Sequence, residues 1–108
     1  MNRFCLLLLF LSACGQTQVE TTVLPEDKLA RIMADISIAD AATTGLSGYA
    51  KDSLMQVYFN QVFEMHGVNI ETYENDLRIL AKNLENMEKV VKKADELLME
   101  KNLEKTTQ

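Results

Sequence analysis

The sequence predicts an all-α domain: a small bundle of three helices, the third long, with residues 82–86 as the place where it could break into a fourth. Three observations carry this. Apolar residues recur three and four apart from Ile70 to Leu98, the repeat of one helical face. The only proline, Pro25, stands before a run of helix formers, and neither proline nor glycine interrupts residues 68–108. The two cysteines, Cys5 and Cys14, offer no disulfide framework within the domain, so helix packing must supply the core.

The first fifteen residues concern location. Asn2 and Arg3 precede an apolar run from Phe4 to Leu11. Eight helical residues rise about 12 Å against a hydrocarbon core of about 30 Å, so this run is too short to span a membrane. A positive start, a short apolar stretch and then small residues compose an export signal. Leu11-Ser12-Ala13-Cys14 resembles the lipobox of bacterial lipoproteins. That resemblance implies that residues 1–13 are a signal peptide, removed on export, and that Cys14 is the lipid-attachment residue. The attached diacylglyceryl group and a further acyl chain, such as palmitate, would hold the protein stably where one chain would not.

Without residues 1–13 the chain has 95 residues, the size of one small domain, and a side-chain net charge of −6. That charge excludes nucleic acid as a partner and disfavours anionic headgroups, leaving the lipid on Cys14 as the link to the membrane. No acidic residue follows Cys14 before Glu20, which favours a domain facing the periplasm of the bacterial cell envelope. His66 is the only histidine, and there is no CxxC pair, glycine-rich phosphate loop or GxSxG elbow. No catalytic residue, metal or cofactor is therefore expected, and the protein is not expected to be an enzyme.

Residues 14–24 read as a lipid-anchored tether, 25–104 as the helical domain and 105–108 as a frayed tail. Pro25 with Glu26 and Asp27 opens the first helix, placing carboxylates at the positive end of its dipole. Leu29, Ile32, Met33, Ile36, Ala39 and Thr43 share one face, and Thr44-Gly45 with Ser47-Gly48 makes a loop. The second helix is expected to open at Asp52 or a neighbour and to stop at Gly67, a left-handed cap. Asn69 caps the third. Its stripe of Ile70, Tyr73, Leu77, Leu80, Leu84, Met87, Val91, Ala94 and Leu98 is a sustained heptad pattern. Run without interruption it makes a helix of about 34 residues, near 50 Å. Asn83, in "KNLEN", is the residue able to cap a new helix instead.

Three stretches, "PEDKLARIMADISIADA" at 25–41, "DSLMQVYFNQVFEMHGVN" at 52–69 and "YENDLRILAKN" at 73–83, resemble the domain of unknown function 4296, found in small lipoproteins of the Bacteroidetes. The resemblance covers nearly the whole mature chain and implies a helical fold and an envelope location. It implies no activity, so no catalytic residues come with it. The family tends to carry aromatic residues near 79–80 and a proline near 84, where this chain has Ile79, Leu80 and Leu84.

Two groups of residues are candidates for function. Asp40 falls within about 20° of Leu29 on the helical wheel, which makes it a candidate buried polar group needing a partner, with His66, Tyr58 or Tyr73 eligible. Asp35 points elsewhere and is expected in solvent. On the second helix Leu54, Val57, Tyr58 and Met65 are expected to face the core. Met55, Phe59 and Phe63, on the other side, are then the candidate partner-binding residues.

The function these features suggest is a lipid-anchored, periplasm-facing binding or adaptor protein, its partner another envelope protein or a second copy. The rival expectation is a small-ligand carrier with a pocket around Asp40. An enzyme would need a cleft joining Asp40 to His66.

Overall fold

The computed structural model describes residues 20–107; the expectations for Cys14, the lipobox and the rest of residues 1–19 lie outside them. The described residues form four helices and no strand: α1 (Glu26–Ala42), α2 (Gly48–His66), α3 (Ile70–Ala81) and α4 (Leu84–Thr106). The expected bundle of three helices is corrected to four.

The correction has a local cause. At the end of α3 the bonding tightens, with Lys82 N–H donating to the Ile79 carbonyl and Asn83 N–H to that of Leu80. Asn83 is then extended, at φ −133° and ψ 99°, and its side-chain oxygen accepts from Asn86 N–H at 3.4 Å. No proline is needed for the break. Turning back at this point changes the apolar phase. Leu84 and Val91, assigned to the continuous heptad, are 75 % and 40 % exposed, while Val90 is wholly buried. Val90 takes the inward place of Val91 in the core cluster containing Leu29 and Ile32, beside Ala94, which the stripe had placed inward.

α1 is the central helix, making its principal contacts with α4 and α2. Leu29, Ala30, Ile32 and Ala34 are all essentially inaccessible, so more than one face of α1 is covered. The two alanines let neighbouring backbones come close. α4 runs parallel to α1: Lys93 pairs with Glu26 and Asp27 near the start of α1, and Lys101 with Asp35 further along. α2 returns alongside α1 after a short loop, reaching Asp35 with its last residue, His66. α3 carries the chain on to the start of α1, where the turn at residues 82–83 leads into α4. The lower end of the bundle is thus this α3–α4 corner, and the upper end is the α1–α2 loop.

The helix ends follow their sequence signals in most cases. Pro25 precedes α1, and its carbonyl accepts from Leu29 N–H at 3.0 Å. Gly67 ends α2 at φ 63°, a left-handed conformation that glycine adopts without a Cβ penalty. Asn69 caps α3 through its side-chain oxygen, which accepts from Glu71 N–H at 2.9 Å. α2, however, opens at Gly48 rather than near Asp52.

The orientation of α2 also differs from expectation. Val57 and Met65, placed toward the core by the sequence, are 49 % and 73 % exposed. Val62 and Phe63 face inward, and the Phe63 ring meets Tyr73 of α3 with centroids 5.3 Å apart and planes tilted by 60°. A helix with apolar residues around most of its circumference has no single periodic stripe from which its inward face can be read.

Candidate functional site

Three features concentrate the polar and apolar chemistry of the described residues. The first is a groove between α1 and α2 of about 250 Å³, lined by Asp35, Ile38, Ala39, Ala42, Tyr58, Gln61, Val62 and Met65. It exists because small residues on α1, Ala39 and Ala42, face larger ones on α2. Its rim is apolar and accessible: Ile38 is 39 % and Met65 73 % exposed. A larger crevice of about 520 Å³ lies at the lower end, but its lining is mainly polar and two of its members, Glu20 and Lys82, pair with each other. The smaller groove is therefore the stronger candidate for contact with an apolar partner.

The second feature ties three helices together at one edge of that groove. Asp35 of α1 accepts from Lys101 Nζ of α4 at 2.7 Å through one oxygen, and its other oxygen lies 2.7 Å from His66 Nε2 of α2. Burial works to raise the pKa of this carboxyl, but hydrogen bonds from Lys101 and His66 prevail and hold it below the ordinary 3.8. The expectation that Asp35 stands free in water is corrected: it is the junction of α1, α2 and α4.

The third feature is at the lower end. Asp76 of α3 is wholly buried, and its two oxygens accept from Val23 N–H at 2.9 Å and Leu24 N–H at 2.8 Å. Both donors precede α1, in a strap further held by Glu20 on Lys82 at 2.8 Å. A buried carboxylate is tolerable only when its lone pairs are used, and here two backbone donors use them.

The sequence-derived candidates are distributed differently from expectation. Asp40, the candidate buried polar residue, is exposed on the last full turn of α1. At this level the covered side of α1 runs through Ala39 and Thr43, 7 % and 0 % exposed, and Asp40 lies beside it with the exposed Ala41. His66 pairs with Asp35 and Tyr73 lies in the core, so two of the three partners suggested for Asp40 are engaged elsewhere, and Tyr58 lines the groove. Met55 and Phe59 are half-buried, while Phe63 is 7 % exposed and belongs to the core rather than to a docking face. Burial pushes the Tyr73 phenol above its ordinary value of 10.0.

Sequence reasoning missed Asp76, although its signal was available. Asp76 lies three residues after Tyr73 and four before Leu80, in the middle of the α3 apolar stripe. Ile38 and Lys101 were missed because what they do depends on which helix lies beside them. Among the described residues no group of three or more histidine, cysteine, aspartate or glutamate side chains is arranged to hold a metal ion. Nor is any helix among them long and apolar enough to cross a membrane.

Residues 21–104 match the family described as a domain of unknown function, DUF4296, and the chain belongs to that family. No curated protein and no solved structure matches the chain.

Proposed function

We propose that this DUF4296 protein is a non-catalytic binding or adaptor protein, anchored by lipid on Cys14 and facing the periplasm of a bacterial envelope. The observation that carries the reading is the α1–α2 groove: an apolar, accessible depression with Met65 and Ile38 on its rim. Adaptable methionine and branched aliphatic side chains at an open groove suit a protein contact. The anchor supports the reading by keeping such a groove at high local concentration near membrane partners. The lipobox-like Leu11-Ser12-Ala13-Cys14 supports the anchor. The binding residues in this reading are Met65, Ile38 and Tyr58, replacing Phe63.

The test is cross-linking in living cells. A photoreactive residue replaces Met65 in one strain and the exposed Lys92 of α4 in another. One dominant envelope protein, or a second copy of this chain, joined from position 65 but not from 92, supports the adaptor. Equal capture at both positions, or none from 65, sinks it. Incorporation of labelled palmitate into the wild-type chain, lost in Cys14→Ala, tests the anchor separately.

A further inference from the structure

The clamp on Asp76 has a consequence for how the domain meets a membrane, and it rests on the lipid-anchor reading above. Five residues lie between Cys14 and Glu20, so the first described residue is within about 20 Å of the lipidated cysteine. A strap free as far as Pro25 would let the domain hang from the start of α1 in any attitude. It is not free. The buried Asp76 carboxylate holds Val23 and Leu24 by their N–H groups, and Glu20 reaches Lys82 at the end of α3. Of these ties the Glu20–Lys82 pair is largely exposed and weak, whereas the Asp76 bonds are to a group sealed from water.

The chain therefore comes in at the α3–α4 corner, beside Lys82 and the 75 % exposed Leu84. From that end α1 rises through 17 residues, about 25 Å, to the α1–α2 loop, beyond which Tyr49 is 88 % exposed. We propose that Asp76 is a positioning residue that sets the attitude of the domain on the bilayer. The α3–α4 corner faces the lipid surface, and the loop and first turns of α2 point away from it. The surface met by the corner is a phospholipid headgroup layer, and the leash holds it there without help from charge. The exposed cations beside the corner, Lys82 and Lys89, are each paired with a carboxylate, Glu20 and Glu85, which leaves anionic lipids little net charge to attract.

The experiment uses the full, lipidated chain in phosphatidylcholine–phosphatidylglycerol vesicles that carry a headgroup nitroxide. Cys14 is consumed by lipid, so Leu84→Cys or Tyr49→Cys supplies the one thiol for a fluorophore. The expected result is quenching at 84 at least threefold stronger than at 49, with that contrast reduced to less than half in Asp76→Asn. As a second variant that leaves the clamp intact, ten Gly-Ser residues inserted between positions 17 and 18 lengthen the leash and weaken quenching at 84. Equal quenching at both positions, stronger quenching at 49, or an unchanged contrast in both variants overturns the proposal. A protein that fails to float with the vesicles overturns the anchor reading and this one with it. A protein that floats but shows no contrast overturns the orientation alone.

Discussion

At the lower end of the bundle, Asp76 is sealed from water and both its oxygens are taken by the strap. At the upper end, Asp40 stands in solvent and an apolar groove is left open between α1 and α2. The lower end is closed by polar groups with specific geometry, and the upper end is only partly closed by apolar packing. The contrast separates structure from availability. A carboxylate with all its neighbours satisfied has a structural task, whereas Met65 and Ile38 leave 73 % and 39 % of their surface open at the groove.

The largest expected effects test which apolar residues belong to the closed part. Phe63→Ala, which empties the contact with Tyr73, is expected to destabilise by about 3–4 kcal/mol in urea denaturation. Phe59→Ala, half-exposed, should cost less than about 2 kcal/mol. A reversed order would return Phe63 to the docking face. Next come the two carboxylates. Asp76→Ala leaves two backbone donors without partners and should cost about 3 kcal/mol, while Asp40→Ala should stay within about 0.5 kcal/mol. Equal effects would mean that the lower end is not specially closed.

Acid unfolding sharpens the comparison at the junction of the helices. Asp35 has its folded pKa below the ordinary 3.8. Its contribution is therefore fully present above about pH 4 and is lost as pH falls through the lower folded value. Lys101→Met removes one of the two bonds that hold the carboxyl down. The variant should lose stability at higher pH than the wild type, read as Tm by circular dichroism from pH 7 to pH 2. An unchanged acid midpoint would show that the Lys101 contact adds nothing.

The two asparagine caps give a smaller step. Asn69→Ala should cost about 1 kcal/mol, and Asn83→Ala less, because its bond to Asn86 is long at 3.4 Å. The smallest effect on stability belongs to the groove rim. Met65→Ser should shift stability by no more than about 0.5 kcal/mol, yet in the proposed function it should abolish capture of the partner. Loss of capture together with loss of fold would make Met65 structural instead.

The helical class was legible because periodicity and helix punctuation are local. Pro25, Gly67 and Asn69 act through bonds within four residues of themselves, and each marks a helix end in the structure. The candidate site was less legible. A carboxylate on an apolar stripe was the right signal, but it was applied to Asp40 and not to Asp76, which lies between Tyr73 and Leu80 on a stripe that is truly covered. Asp35 could not be recognised from its own helix, since its partners come from α2 and α4, 31 and 66 residues later in the chain.

By itself the sequence determined that the chain is helical, where most helices start and stop, and that it belongs to the DUF4296 family. Each depends on backbone bonding, local spacing or residue identity. Only the tertiary structure decided that the heptad run turns back at Asn83, which side of α2 faces inward, and which aspartate is buried. These depend on which surfaces meet, and a stripe has no inside until another helix covers it. Val90 in place of Val91 and Asp76 in place of Asp40 are two results of that one fact.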